Sequence, residues 1–202
     1  SRKAPTIIND LDGFLSKLTE LIRDFQRLSP IDAIGIGVPG LRSSITRAIE
    51  ISPNIPCLRN VHLEDLLADQ VRIPVVSEND ANAAAYAEFV CGAGDGVRHM
   101  VCLTLGTGLG SGLILNGRLY TGTSGYAAEL GHTVIDPGGR PCACGSRGCL
   151  ETIVSGPGIV VTALEKLKGA RPSLLREIQQ PLTSKLIFDA AARGDEMARE
   201  VF

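Results

Sequence analysis

One segment, residues 129–151, restricts what this chain can fold into more than any other part. It holds half of the six cysteines, one of the three histidines and a glutamate at each end. Its histidine and three cysteines follow the spacing His-x9-Cys-x-Cys-x4-Cys: His132, Cys142, Cys144 and Cys149. Such a set suits a tetrahedral structural zinc ion, and the four glycines that lie between the first and last ligand allow tight turns. The segment predicts a zinc-binding loop; the alternative is buried thiols beside a surface histidine.

Composition excludes several classes of function. The 202 residues carry a formal charge of −2 and only 4% aromatic residues, which gives no basis for nucleic-acid or membrane binding. No apolar run reaches the length of a membrane span, and the first residues lack a signal-peptide core. Cys57, Cys91 and Cys102 lie scattered in apolar surroundings. Together these features predict a globular protein in a reducing, cytoplasmic setting.

The first half alternates between helical and strand patterns. Apolar residues recur at three- and four-residue spacing over 11–28, which predicts an amphipathic helix with Asn9 or Asp10 as its cap. A β-branched strand follows over 31–38 and runs into the turn Pro39-Gly40. A second helix and strand are predicted over 63–70 and 73–76. This order indicates the α/β class, in which ligands collect at the carboxyl ends of the strands.

Asn79 and Asp80 follow the second strand and precede an alanine-rich helix. Free N–H groups and the helix dipole at such a junction favour an ionised carboxylate. Asp80 therefore has two interpretations of similar weight. It could cap the helix, or it could carry chemistry.

A glycine-dense segment, 106–112, joins a strand over 101–105 to a hairpin whose turn is Asn116-Gly117. Because the segment leads to a strand and has Ser111 where a third glycine is needed, it is no dinucleotide fingerprint. Its backbone N–H groups, with the Thr104 and Thr107 hydroxyls, could wrap a phosphate. The alternative is a tight turn without a ligand.

Four motifs together resemble the ROK family of bacterial sugar kinases and sugar-responsive repressors. They are GIGVPG at 35–40, ENDANAAAYAE at 78–88, LTLGTGLGSGLILNG at 103–117, and GYAAELGH through CACGSRGCLE at 125–151. The resemblance covers roughly residues 31–160. It implies an actin-like ATPase (ribonuclease H-like) fold with two lobes around a cleft where sugar and nucleotide meet.

The resemblance also assigns roles to residues. Asp80 would be the general base that takes the proton of the attacking sugar hydroxyl. The other sugar-binding residues would be Gly40, Asn79, Glu129, His132 and Glu151. ATP phosphates would lie on the glycine segment, at Gly106, Thr107, Gly108 and Gly110, with Mg²⁺. His132 would bind zinc through one ring nitrogen and a sugar hydroxyl through the other, so that the metal orients a sugar-binding residue.

The chain departs from the family pattern at both ends. The Asp-x-Gly-Gly-Thr hairpin that opens family kinases does not occur before Pro5, and the sequence stops at Phe202 within a predicted helix. We therefore expect a fold incomplete at both ends, with an N-terminal lobe over 1–95 and a C-terminal lobe over 96–202. We also expect a weakened ATP site.

Three functions remain open at this point. The first is an ATP-dependent sugar kinase of the glucokinase type, favoured because a repressor does not need an intact phosphate loop. The second is the effector domain of a sugar-responsive repressor, which would contact nucleic acid only through an upstream DNA-binding domain. The third is a metal-stabilised domain without a small-molecule role. By the resemblance, the protein would form a homodimer.

Overall fold

The computed structural model describes residues 2–202, and their contacts divide them into two compact units. The first unit runs up to Cys102 and includes Gly112–Ala128, whereas the second comprises Leu103–Ser111 and Glu129–Phe202. These units differ from the predicted lobes in assigning 96–102 and 112–128 to the first unit, and the lobe boundary at residues 95 and 96 stays a prediction. Among the described residues, no helix is both long and apolar enough to cross a bilayer.

The first unit is built around two parallel strands. Its elements are α1 (Leu11–Gln26), β1 (Ile34–Val38), β2 (Leu41–Arg42), β3 (Ile49–Ile51), a 3-10 helix (Pro56–Leu58), α2 (Leu63–Val71), β4 (Val75–Asn79) and α3 (Asp80–Cys91). Strand β1 pairs with β4 in register from Ile34 opposite Val75 to Val38 opposite Asn79. Strands β2 and β3 form a separate antiparallel hairpin. Both parallel strands therefore end at the same edge, beside Gly40 and Asp80.

Helices α1 and α2 cover the core of this unit. Leu15 and Ile22 of α1 are buried, and Leu11, Phe14 and Leu18 pack against the core, whereas Phe25 is 40% exposed. The helix begins at Leu11, as predicted, but ends at Gln26 rather than at residue 28. Asp10 holds the N-cap position, although its side chain makes no capping hydrogen bond. The buried core residues are Leu15, Ile22, Val38, Ile49, Ile55, Leu58, Leu63, Leu67, Val71 and Val75. Their removal from water is the main favourable contribution to this unit's folding.

A three-stranded sheet has the order β5 (Met100–Leu105), β6 (Leu109–Leu115) and β7 (Arg118–Leu119). Asn116 and Gly117 both have positive φ, at 52° and 74°. A type I′ turn needs positive φ at both central residues, so the predicted hairpin is confirmed. The chain passes from one unit to the other within β5 and again within β6.

The glycine segment differs from its predicted form. Only Gly106–Gly108 form the turn, because β6 already begins at Leu109 and contains Gly110 and Gly112. Gly112 is needed for close packing: a Cβ there would collide with the Cβ of Ala85 on α3. The prediction of a seven-residue loop was wrong. The sequence alone does not distinguish a glycine in a turn from a strand glycine that lets another element pack closely against the backbone.

The second unit is mainly helical after residues 129–151, the segment of the predicted zinc site, which we call the metal segment. Its helices are α4 (Glu151–Val154), α5 (Gly156–Leu167), α6 (Ser184–Ala192) and α7 (Glu196–Arg199), with 3-10 helices at Leu130–His132 and Leu174–Glu177. Gly194, with φ 95°, separates α6 from α7. Its buried core consists of Ala163, Leu175, Ile187, Ala190 and Ala198.

Candidate functional site

Asn79 caps helix α3 and ties it to the Gly40 turn. Its Oδ1 accepts hydrogen bonds from the backbone N–H groups of Ala81, at 2.9 Å, and Asn82, at 3.1 Å. Its Nδ2 donates to the Gly40 carbonyl at 3.0 Å. One amide side chain thus fixes two of the predicted sugar-binding positions relative to each other. A single Nδ2 hydrogen remains for a ligand.

Asp80 is the exposed first residue of α3. Its Oδ1 accepts a hydrogen bond from the neighbouring Ala81 N–H at 3.0 Å. Because Asn79 holds the N-cap position, the interpretation of Asp80 as the cap is wrong, and most of its acceptor capacity is available.

Glu78 is a supporting residue that the sequence analysis did not single out. Its Oε1 accepts hydrogen bonds from the Asn79 backbone N–H, at 2.9 Å, and from Asn82 Nδ2, at 3.1 Å. One oxygen of the glutamate thus bonds both to the residue before α3 and to a side chain in the first turn of α3. Its position directly before Asn79-Asp80 could have indicated a role in the site. Its contact with Asn82 could not be predicted, because it depends on the conformation of the first turn of α3.

The four predicted zinc ligands lie together in the second unit. His132 Nδ1 lies 3.6 Å from Cys142 Sγ, and Cys144 Sγ lies 3.7 Å from Cys149 Sγ. All four ligand atoms lie within 4.8 Å of one another. Zinc–sulfur bonds of about 2.3 Å in a tetrahedron place two sulfurs ~3.8 Å apart. The spacing of Cys144 and Cys149 matches this value, and the other ligand atoms lie close enough together for the four residues to fit a Cys₃His zinc site.

Short-range backbone bonds fold the segment around this cluster. Antiparallel bridges join Val134 to Cys149 and Pro141 to Arg147. Gly148, with φ 69°, lies so close to the Asp136 carbonyl that any Cβ would collide with it. The turns between ligands thus depend on glycine, as predicted.

The thiols of the cluster differ in how readily they ionise. Burial raises the pKa of Cys149 to about 12, and the thiols of Cys142 and Cys144 add to this effect. The pKa of Cys144 is lowered, chiefly by a hydrogen bond from the Ser146 backbone. Zinc binds thiolates, so its binding here would release the Cys149 proton.

Glu129 and His132 lie on the same side of a 3-10 turn, as expected from their spacing. Glu129 is the N-cap residue of Leu130–His132, and its Oε2 lies 3.9 Å from His132 Nε2. The Nδ1 atom faces the sulfurs, whereas Nε2 and the Glu129 carboxylate lie on the other side of the ring. The imidazole thus presents different nitrogens to the cluster and to Glu129.

Glu151 links the metal segment to the glycine turn. Its Oε2 accepts the Leu109 N–H at 2.9 Å, and its Oε1 lies 4.0 Å from Cys142 Sγ. A Cβ on Gly108 would collide with this carboxylate. One carboxylate oxygen is therefore already engaged by the backbone of the turn, which leaves Oε1 as the oxygen better placed for a ligand.

A cavity of about 530 Å³ opens beside the glycine turn, within the second unit. It is lined by Gly106, Thr107, Gly156, Pro157, Val160, Val161, Leu182, Thr183 and Ser184. The Gly156 N–H donates to the Gly106 carbonyl at 2.9 Å, which fixes the start of α5 against the turn. The cavity thus combines apolar walls with a helix N-terminus, a combination suited to a ligand that carries both an apolar ring and an anionic group.

Arg140 fastens the metal segment to helix α5. Its guanidinium donates to the carbonyls of Thr152, at 2.9 Å, and Gly158, at 3.2 Å. It also donates to Thr162 Oγ1, at 3.0 Å, and to Glu165 Oε2, at 2.6 Å. These four bonds use most of its donors, so the arginine joins the loop to the helix that lines the cavity.

The structure groups the predicted site residues within each unit. Gly40, Asn79 and Asp80 lie together in the first unit. The second unit holds the metal cluster, Glu129, Glu151 and the residues 106–110. Among the predicted phosphate-binding residues, Gly106 and Thr107 line the cavity, whereas Gly110 lies within β6.

The ROK family model matches this chain over residues 2–202. This chain belongs to the ROK family. Among its relatives, the glucokinase of Thermotoga maritima is 39% identical over 193 residues, which are 94% of this chain and 61% of the relative. The chain therefore spans less than two thirds of the length of this ROK glucokinase.

Solved ROK structures agree with the fold. A ROK family transcriptional regulator, a homologue of the E. coli MLC protein, matches with a TM-score of 0.85 at 32% identity, over 96% of this chain and 50% of that chain. The ROK glucokinase of Streptomyces griseus, in complex with glucose and AMPPNP, matches with a TM-score of 0.80 at 35% identity, over 99% of this chain and 65% of that chain. The chain thus has the actin-like ATPase fold of ROK sugar kinases.

Proposed function

We propose that this chain is part of an ATP-dependent sugar kinase of the glucokinase type. The observation that carries the proposal is the exposed Asp80 carboxylate at the start of α3, whose capping role is filled by Asn79. A residue required only for the helix would hold the N-cap position itself. The glucokinase of T. maritima and the glucose and AMPPNP complex of the S. griseus enzyme support this choice.

In this proposal Asp80 accepts the proton of the sugar hydroxyl that attacks the γ-phosphate of ATP. Transfer breaks the bond between the β,γ-bridging oxygen and the γ-phosphorus and forms a bond from the sugar oxygen to that phosphorus. The other ring hydroxyls would be bound by Gly40, Asn79, Glu129, His132 and Glu151. ATP would bind at the cavity beside Gly106 and Thr107 together with Mg²⁺, which offsets phosphate charge when bound.

Zinc would have a structural role here. The cluster offers four ligand atoms, which would fill the tetrahedral shell of a zinc ion and leave no position for a water molecule. His132 would bind the ion through Nδ1, so that Nε2 faces the side of Glu129. The residues would thereby hold the imidazole in one tautomer and one orientation toward a sugar hydroxyl.

The test is a panel of hexoses and N-acetyl hexosamines with ATP, assayed on the full-length protein. We expect phosphorylation of at least one sugar. Asp80→Asn should lower kcat by about 10²–10⁴-fold with little change in sugar affinity, because it removes the proton acceptor and keeps the shape. Asp12→Asn is the matched control, since Asp12 is also the acidic residue in the first turn of a helix. Full turnover in Asp80→Asn would contradict the proposal.

A sugar-binding effector domain of a ROK repressor is the second candidate. The TM-score of 0.85 to a ROK transcriptional regulator favours it. In that case the full-length protein binds a sugar, measured by calorimetry, without consuming ATP. A DNA-binding segment upstream of this chain would then be expected. The homodimer and the cytoplasmic setting stay predictions under both candidates.

A further inference from the structure

Glu64 is a buried carboxylate that takes no part in the proposed reaction, and its partners lie close in sequence to the proposed sugar-binding residues Gly40 and Asn79. Glu64 lies in the first turn of α2, and its side chain is only 7% exposed. A buried charge is costly unless it is paired and hydrogen-bonded. The positions of its partners therefore indicate what it does.

The first partner is strand β4. Glu64 Oε1 accepts hydrogen bonds from the Ser77 backbone N–H, at 2.7 Å, and from Ser77 Oγ, at 3.0 Å. Ser77 lies two residues before Asn79 on this strand, which pairs with β1 along its other edge. The carboxylate thus accepts the Ser77 N–H on the edge of β4 that, among the described residues, has no partner strand at this point. It fixes β4 two residues before Asn79 and three before Asp80.

The second partner is the β2–β3 hairpin, which begins directly after Gly40. Arg42 Nη2 lies 3.1 Å from Glu64 Oε1 and 3.2 Å from Oε2. Arg47 Nη2, from the turn of the hairpin, lies 2.6 Å from Oε2. Charge-assisted bonds of this kind are stronger than neutral ones. The hairpin therefore contacts both carboxylate oxygens, and Oε1 is shared between the hairpin and β4.

The residues that Glu64 binds, Ser77 and Arg42, lie on either side of one hydrogen bond between Gly40 and Asn79. The Gly40 carbonyl accepts a hydrogen bond from Asn79 Nδ2, at 3.0 Å. Arg42 lies two residues after Gly40, and Ser77 lies two residues before Asn79. One carboxylate holds both flanking residues, so its loss would loosen both ends of the Gly40–Asn79 contact at once.

We infer that Glu64 is a positioning residue that holds the Gly40 turn against Asn79 and so sets the sugar-binding geometry of the first unit. The part of this inference that concerns sugar rests on the proposed kinase function. Burial raises the pKa of Glu64, but hydrogen bonds from Ser77 and Arg47 and the charge of Arg42 outweigh it and leave the pKa below its usual value. The carboxylate is thus ionised at neutral pH, as the arginine pairing requires.

The test compares Glu64→Gln with Asp195→Asn, a matched buried carboxylate in the second unit. Asp195 accepts hydrogen bonds from the Ser173 hydroxyl, at 2.7 Å, and from the Ala198 N–H, at 2.9 Å. Both variants remove a charge of similar burial, so a general loss of stability affects both. Amide hydrogen exchange over residues 41–51 is measured in the full-length protein.

We expect exchange over 41–51 to rise about tenfold or more in Glu64→Gln and to stay unchanged in Asp195→Asn, because only the first variant frees the hairpin. Sugar KM should rise about tenfold in Glu64→Gln while ATP KM stays unchanged, which matches the loss of a charge-assisted hydrogen bond. Unchanged exchange overturns the inference. Raised exchange with unchanged sugar KM overturns its sugar-positioning part.

Two other results, an inactive wild-type protein and a Glu64→Gln variant that does not fold, have their own interpretations. If the wild-type protein phosphorylates no sugar, the proposed function fails, and the exchange comparison alone decides whether Glu64 anchors the hairpin. If Glu64→Gln does not fold, Arg47→Gln replaces it, because the Arg47 side chain is 60% exposed and can be changed with little effect on the core. Raised exchange over 41–51 in Arg47→Gln then supports the inference, and unchanged exchange overturns it.

Discussion

The adjacent polar residues Asn79 and Asp80 differ in how many backbone groups they bond to. Asn79 uses its carbonyl oxygen to cap α3 and its amide to hold Gly40. Asp80, one residue later, makes a single hydrogen bond to the Ala81 N–H and is exposed. A side chain that completes the backbone has little capacity left for a substrate. The residue beside it is the better candidate for chemistry.

Arg72 offers a test of backbone strain at the residue scale. It ends α2 in the left-handed conformation, with φ 60°, and donates its N–H to the Ala68 carbonyl at 2.8 Å. We expect Arg72→Gly to raise the free energy of unfolding by about 0.5–1 kcal/mol, because glycine adopts this conformation without strain. Urea unfolding measures the change.

Asn60→Gly is the matched control for that variant. Asn60 also has positive φ, at 59°. Asparagine tolerates the left-handed region better than arginine does, so we expect a smaller gain than at Arg72. A loss of stability in Arg72→Gly would contradict the account.

The metal segment is the element whose structure depends most on a few side chains. Its turns are held by isolated bridges and by the four clustered ligands. Arg140 then fastens the segment to α5. We therefore expect removal of the proposed zinc ion to loosen the segment first, with its effect reaching α5 through the arginine.

Metal analysis tests this expectation at the element scale. Purified protein should contain about one zinc per chain. Cys144→Ser should lose the zinc and make the segment 132–149 sensitive to limited proteolysis, because three ligands hold the ion far less tightly. Cys91→Ser is the control, since Cys91 is also exposed but lies outside the cluster. Retention of zinc in Cys144→Ser would contradict the assignment.

The sequence predicts some elements well because their determinants are local. The histidine and the three cysteines that cluster lie within 18 residues of chain, and the Asn116-Gly117 turn needs only two residues with positive φ. The extent of the glycine turn was mispredicted because Gly112 is required by its close contact with Ala85 on α3, not by the turn. Glu64 could not be identified, since its partners come from two other segments of the chain.

Acid stability is a property of the whole molecule, because each unit contains a buried carboxylate. Burial raises the pKa of Asp195, but hydrogen bonds from Ala198 and Ser173 outweigh it and leave the pKa lowered. The pKa of Glu64 is lowered in the same way. A lowered pKa stabilises the folded state above the unfolded pKa, about 4, and this contribution is lost as pH falls through the folded pKa.

We therefore expect the free energy of unfolding to fall as pH is lowered from about 5 toward 3, measured by urea unfolding. Asp195→Asn and Glu64→Gln should each be less stable at pH 7 and show a shallower decline, because the titrating group has been removed. An equally steep decline in both variants would show that other carboxylates dominate.

The division of the chain into units has a consequence for how the protein is made. The chain passes from one unit to the other after Cys102, after Ser111 and after Ala128. On the ribosome, the first unit cannot be completed until residue 128 has emerged, by which time part of the second has already been synthesised. Neither unit can be expressed as one uninterrupted segment of this sequence. A single cut in the chain therefore cannot release either unit intact.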